Sequence, residues 1–345
     1  MKFEAVTIKD IAKELGLSTS TVSRAIRDSY EISAETKKLV IECAERLHYR
    51  PNPIALSLKE KRSRSIGVVV SEIANSFFSQ AINGIESIAN NKGYNVMISQ
   101  SQESLDKETR HINFLASRSI DGLLISVSSE TENIDHLMQL HKRGLPIVFF
   151  DRIKAEMQTH KVIVNNFKAA YDATVHLISA GYTKIGCLAN AEHLSITHER
   201  IAGYKQALKD NNIAKDLALV KICEHGGLAF DETENAVNDL LQLQPDAILG
   251  LNDKLTTGCL KILQLRSIKI PEEIALVGFT NSELSELLNP SLTIIRQPAF
   301  EMGEIATSLL IQQIESKRPI KEFTTRVLQT ELVVRTSSKR RVNGH

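Results

Sequence analysis

Thr19, Ser20, Ser23 and Arg24 bring three hydroxyls and a guanidinium to one short stretch of chain. No base stands beside the hydroxyls to make them nucleophiles, so their chemistry is hydrogen bonding. An arginine fork matches O6 and N7 of guanine, a contact worth roughly 1–3 kcal/mol of base discrimination. Thr19 and Ser20 are short and ambiguous in their bonding, so their share of readout rests on water or a thymine methyl. Thr7, Ser33, Thr36 and Tyr49 are placed to meet phosphates, contacts that set position without specifying sequence.

Such groups need a helix that enters a groove of DNA. Residues 7–24 predict one. Ile8, Ile11, Ala12 and Leu15 recur at helical spacing, Gly16 marks a bend, and Ser18 can cap a second helix. Val22 and Ile26 turn inward on that helix, which leaves Thr19, Ser20 and Ser23 outward and Arg24 on the face of Ser20. This is a helix-turn-helix pattern. A third helix follows, with Ser33 as its cap and Leu39, Val40, Cys43 and Leu47 as its apolar stripe.

Residues 1–64 hold 13 Lys and Arg against 9 Asp and Glu, and the rest holds 29 against 32. A basic head on a slightly acidic body suits a nucleic-acid-binding module joined to a body of other purpose. At 345 residues the chain exceeds one ordinary domain. No apolar run approaches the ~20 residues that span a bilayer, and the start lacks an apolar signal region. A cytoplasmic chain is expected, with no membrane partner. The four cysteines are far apart and read as free thiols. No metal-ligand spacing emerges, and no cofactor, phosphate-loop or nucleophile-elbow motif is present.

From Ser65 onward apolar runs alternate with amphipathic segments. Strands are predicted at 66–70, 96–98, 123–125, 147–150, 162–164, 185–188, 218–221, 248–251 and 276–279. Helices are predicted near 77–91, 107–118, 133–143, 169–179, 199–211, 231–241 and 255–265. Near-continuous apolar strands separated by helices indicate parallel sheets covered on both faces. The array is too long for one sheet. Two subdomains with a cleft between them are expected, the ligand lying at the strand ends.

Between head and body, Asn52 can cap a helix and Pro53 suits its first position. The segment 53–59 spans under two turns, too short to persist alone in water. Two readings stand: a linker whose Leu56 and Leu58 pack on the body, or a hinge helix that forms on DNA and wedges a leucine into the minor groove.

The strings TIKDIAKELGLSTSTVSRAI, HYRPNPIALSL and RSIGVVV resemble the head, hinge and first body strand of the LacI/GalR family of transcriptional regulators. The resemblance covers nearly the full length. It implies that Leu58 is the minor-groove leucine and Ala55 the hinge alanine. It puts Thr19 and Ser20 at variable base-reading positions and Arg24 at a further base contact. Pro53 and Leu56 depart from the usual hinge. The body is implied to be of periplasmic-binding-protein type, two doubly wound lobes around a small ligand. Motif matching places effector contacts at Ser71, Phe77 (in Asn75-Ser76-Phe77-Phe78, with serine for the usual proline), Asp151, Arg200, Asn252, Asp253, Thr280 and Gln297. Thr280 stands where the family commonly has aspartate, and a hydroxyl cannot replace a charged acceptor strongly.

The expected architecture is therefore an all-α helix-turn-helix head at 1–50, a hinge at 51–63, an α/β body at 64–338 and a tail at 339–345. The lobes are expected at 64–162 plus 294–324 and at 163–293 plus 325–338. The expected function is a homodimeric repressor of a pseudo-palindromic double-stranded DNA operator, controlled by a small metabolite, a sugar or sugar derivative. No cofactor is implied. A free-standing sugar-binding protein fits the body but leaves the head without purpose. An α/β enzyme using Asp151, Asp253 or His225 lacks any catalytic motif.

Overall fold

The computed structural model describes residues 6–50, 62–318, 320 and 322–339. The chain divides into two compact units, Met1–Ser63 and Arg64–His345.

In the first unit, α1 (Ile8–Leu15), α2 (Thr19–Ile26) and α3 (Ala34–Arg46) form as the stripes predict. The Ser18 hydroxyl accepts from Thr21 N at 3.1 Å and Ser33 accepts from Thr36 N at 3.2 Å, so both expected caps are made. Gly16 ends α1 at φ 63°, a left-handed conformation that glycine adopts without a Cβ penalty. Ile11, Ala12, Val22, Ala25, Val40 and Cys43 close the small core. Two expected inward residues sit elsewhere. Leu39 is 51% exposed, and Ile26 is only half-buried because Ala25 takes the inward place. Helical geometry turns the face by about 100° per residue, so with Val40 and Ala25 inward Leu39 and Ile26 turn toward the edge of the stripe.

The second unit holds two six-stranded sheets. The first has the order β11-β5-β4-β3-β1-β2, from β1 (Ser65–Val70), β2 (Asn95–Gln100), β3 (Gly122–Ile125), β4 (Ile147–Phe150), β5 (Lys161–Val164) and β11 (Thr325–Leu328). The second has the order β12-β10-β9-β8-β6-β7, from β6 (Ile185–Asn190), β7 (Val220–Cys223), β8 (Ala247–Gly250), β9 (Ala275–Phe279), β10 (Thr293–Arg296) and β12 (Glu331–Val333). All pairings are parallel except β10 with β12. The expected strand at 218–221 lies later, because Leu217–Leu219 forms a 3-10 turn first.

Helices cover both sheets: α4 (Ser76–Asn91), α5 (Leu105–Ser117), α6 (Asp135–Lys142) and α11 (Ala299–Glu315) on the first, and α7 (Asn166–Ser179), α8 (Ser195–Asp210), α9 (Phe230–Gln242) and α10 (Asp253–Leu265) on the second. Two apolar clusters flank each sheet. The central strands are buried on both sides, which is why they read as unbroken Ile, Val and Leu.

Sheet membership corrects the expected lobe boundaries. β5 lies wholly in the first lobe, so the first crossing follows Val164 and not residue 162. β10 belongs to the second lobe, so the chain returns after Arg296, not before residue 294. β11 belongs to the first lobe and only β12 to the second, so the last crossing lies between Leu328 and Glu331, not before residue 325. β11 and β12 pair at sheet edges and show no apolar run to mark their side, β10 lies beyond the last predicted strand, and only sheet pairing assigns β5 to a lobe. Among the described residues no helix is long and apolar enough to cross a membrane.

Candidate functional site

The lobes present the carboxyl ends of their strands to one another, where ligands of open α/β sheets lie. From the first lobe, Asn75 caps α4 and sets Phe77 and Phe78 at the cleft, rings 5.1 Å apart and edge to face. Asp151 follows β4 at φ 59°, and Arg152 comes next. From the second lobe come Arg200 within α8, Asn252 and Asp253 at the start of α10, and Thr280 and Asn281 after β9. Gln297 stands on the crossing after β10. These side chains line one chamber together with Ile196 and Phe279.

Arg200 is the most constrained of them. Its Nε donates to Asn166 Oδ1 at 2.9 Å, Nη1 to Leu251 O at 2.6 Å and Nη2 to Gln297 Oε1 at 3.3 Å. Its guanidinium lies 3.8 Å from the Phe279 ring centroid. Burial pushes its pKa down to about 10, so it still carries its charge at neutral pH. Asp151 is buried as well. Burial raises its pKa, against the pull of Arg152 and Arg200, and the Ser126 hydroxyl donates to it at 3.3 Å.

Asp253 accepts from Asn75 Nδ2 at 3.1 Å, across the cleft, and from the Thr280 hydroxyl. Burial raises its pKa and the Thr280 bond opposes this. The threonine at the commonly acidic position therefore holds a neighbouring acid. Asn281 Nδ2 bonds Gln297 O and Gln80 Oε1, both at 2.7 Å. Asn252 spends its side chain on the α10 cap and on Gly226 O at 3.0 Å, which makes it structural in this state.

Of the expected effector residues, Phe77, Asp151, Arg200, Asn252, Asp253, Thr280 and Gln297 share the chamber. Ser71 is buried but stands in an adjoining chamber with Glu103 and His225. Sequence reasoning missed Arg152 and Phe279. Each adjoins a residue it singled out. It also missed Glu103, which has no local signal.

In the head, Thr19 and Ser20 are exposed and Ser23 is half-buried. Arg24 is exposed and pairs with Glu31 at 2.9 Å. The Ser20 hydroxyl lies 2.7 Å from that of Ser18. The Thr7 hydroxyl donates to Asp10 at 2.7 Å, and Ser33 and Thr36 bond each other at 2.9 Å. Tyr49 packs on the head core, and burial raises its pKa. Thr7, Ser33 and Thr36 thus serve the helix ends. The expected hinge contacts Asn52, Ala55 and Leu58 lie outside the described residues.

Residues 7–52 match the family described as bacterial regulatory proteins, lacI family. Residues 63–334 match periplasmic binding proteins and sugar binding domain of LacI family. The chain is 32% identical over 336 residues to the HTH-type transcriptional repressor PurR of Vibrio campbellii, covering 97% of this chain and 99% of that one. It is 32% identical over 337 residues to the repressor CytR of Escherichia coli K12, covering 97% of each. Among solved structures, a CelR–cellobiose complex superposes with a TM-score of 0.71 at 26% identity, covering 96% of this chain and 99% of that one. The lac repressor dimer bound to operator and anti-inducer superposes with a TM-score of 0.81 at 24% identity, covering 97% and 99%, a likeness of fold.

Proposed function

The chain belongs to the LacI family of DNA-binding transcriptional repressors, and from that premise we propose that its cleft binds a neutral sugar or sugar derivative that controls operator affinity. One observation carries the reading: Asp151, Arg200 and Asp253 converge with Phe77, Phe78 and Phe279 on a single chamber. Carboxylates accept from hydroxyls, the guanidinium donates to ring oxygens, and the aromatic faces cover apolar C–H surface. The cellobiose named with the CelR structure supports the same ligand class.

Two copies, each with one reading head, would engage a pseudo-palindromic site. Arg24, Thr19, Ser20 and Ser23 read bases there, and Thr7, Ser33, Thr36 and Tyr49 position the head. Ligand binding changes the angle between lobes, a coupling of about 1–3 kcal/mol to DNA affinity. The test is a thermal-shift screen of the intact protein against sugars, sugar phosphates and nucleobases. A carbohydrate should raise the melting temperature, and Arg200→Ala and Asp151→Asn should each abolish the rise. A rise that persists in both variants places the ligand elsewhere.

A further inference from the structure

The chain enters the body at Arg64, just before β1, and polar contacts fix it there. Asn95 N donates to Arg64 O at 2.8 Å, Arg64 N donates to Asp121 Oδ2 at 2.9 Å, and the Arg64 guanidinium pairs with Glu315 at 3.5 Å. Asn95 starts β2, Asp121 precedes β3 and Glu315 ends α11. All strands of this sheet run parallel, so every turn from a helix to the next strand lies on this one edge, opposite the cleft.

Those turns are basic. Lys92 follows α4, Arg118 follows α5, Arg143 follows α6, and Lys317 and Arg318 follow α11. Against them, among the described residues of the same turns, stand Asp121 and Glu322. Lys142 adds a cation in the last turn of α6. These lysines and arginines are all exposed, and among the described residues none of them is in an ion pair.

Cations at helix C-termini offset the macrodipole, by about 0.3–1 kcal/mol each. The second lobe shows that this effect does not account for the edge. Its sheet repeats the strand order of the first, yet its helices are followed by Ala180, Asn211, Leu243 and Arg266. In its helix-to-strand turns Lys184, Lys215, Arg266 and Lys269 are balanced by Asp216, Asp246, Glu272 and Glu273. Only the lobe joined to the DNA-reading head carries a surplus of positive charge on this edge.

We propose that this edge of the first lobe binds DNA: its exposed lysines and arginines meet backbone phosphates of the duplex that the head holds, a contact that adds affinity without reading sequence. Eleven residues join Arg50 to Arg62, a tether of about 40 Å at most and so little more than one helical turn of duplex, which keeps DNA held by the head within reach of the edge. The body thus takes part in DNA binding itself, whatever fills its cleft.

The experiment is fluorescence anisotropy of the full-length protein on a mixed-sequence duplex of about 40 base pairs, in potassium chloride from about 50 to 200 mM. The readout is the slope of log affinity against log salt. One variant carries Lys142→Gln, Arg143→Gln, Lys317→Gln and Arg318→Gln. A second carries Lys184→Gln, Lys215→Gln, Arg266→Gln and Lys269→Gln, the same loss of charge on the second lobe. The first should bind more weakly, with a slope shallower by about 2 or more, since each lost phosphate contact removes roughly 0.9. The second should match the wild type. A wild-type slope in the first variant overturns the proposal and leaves the head's own binding in place. Equal losses in both variants also overturn it, because they trace to net charge alone. Lost retention on heparin with an unchanged DNA slope gives the edge to another polyanion and overturns the DNA contact. So does a wild type that binds no duplex at low salt.

Discussion

Arg24 illustrates how a residue's partner in the free protein defines its task. Its guanidinium and the Glu31 carboxylate are 2.9 Å apart with both side chains about half exposed. An exposed pair of this kind contributes only about 0–1 kcal/mol, so DNA can displace it at little cost. A bidentate guanine contact is worth roughly 1–3 kcal/mol in discrimination, which lysine cannot supply because it offers a point charge and no fork. Arg24→Lys should therefore lower operator affinity about 10-fold or more relative to random duplex, checked by fluorescence anisotropy and binding-site selection. Selection of the same bases at the same ratio would remove Arg24 from the readout. At this scale the sequence was informative where a motif names its residues, as for Asp151, Arg200 and Asp253, which the fold brings to one chamber. It was silent on Glu103, which lies 49 residues from the Arg152 it holds. Only the fold brings that pair together, and no local pattern of residue types announces it.

At the scale of elements, legibility follows burial. β1, β3, β4 and β8 are buried along nearly their whole length and read as apolar runs. β11 and β12 are short edge strands with mostly exposed or half-buried residues, Thr325 to Leu328 and Glu331 to Val333, and gave no signal. β10 and α11 are buried yet passed unmarked, since the expected series of elements ended at Phe279. Without them the lobe boundaries could not come out right, because β10 and α11 lie on opposite sides of one crossing. The packing of α4 on α11 adds a constraint that composition hides. A Cβ on Gly84 would lie 2.0 Å from Phe300 O, and one on Gly303 would lie 2.1 Å from Ala81 O. Both obstacles are helix backbone, so neither helix can yield without moving as a body. Overpacking of a core typically costs about 1–3 kcal/mol, and Gly84→Ala should reach at least the upper part of that range. Urea denaturation with paired far-ultraviolet circular dichroism and fluorescence measures it. An unchanged midpoint would mean that α4 and α11 can separate freely.

Across the whole body, the question is what sets the angle between lobes. The chain crosses between them after Val164, after Arg296 and after Leu328. Side chains also bridge the cleft: Asn75 to Asp253, Glu72 to Lys254, and Gln80 to Asn281. The last pair is reciprocal. Gln80 Nε2 donates to Asn281 O at 3.2 Å, and Asn281 Nδ2 donates to Gln80 Oε1 at 2.7 Å. A ligand shifts an equilibrium only through its differential affinity for the two states, so whatever holds the lobes together in its absence contributes to the apparent affinity. Two neutral hydrogen bonds are worth about 1–3 kcal/mol net, the same size as a typical coupling energy between sites. Gln80→Ala removes both without touching the chamber that Arg200 and Asp151 define. It should weaken effector binding roughly 10-fold and enlarge the radius of gyration in small-angle scattering of the unliganded body. Asn281→Ala should cost more, because Asn281 Oδ1 also accepts Gln297 N at 3.0 Å on the crossing itself. The double variant should cost less than the sum of the two, since both changes break the Asn281 Nδ2–Gln80 Oε1 bond, while only Gln80→Ala breaks the bond to the Asn281 backbone carbonyl. Strict additivity would show that the two side chains act separately and that the bond they share does not hold the lobes at their angle.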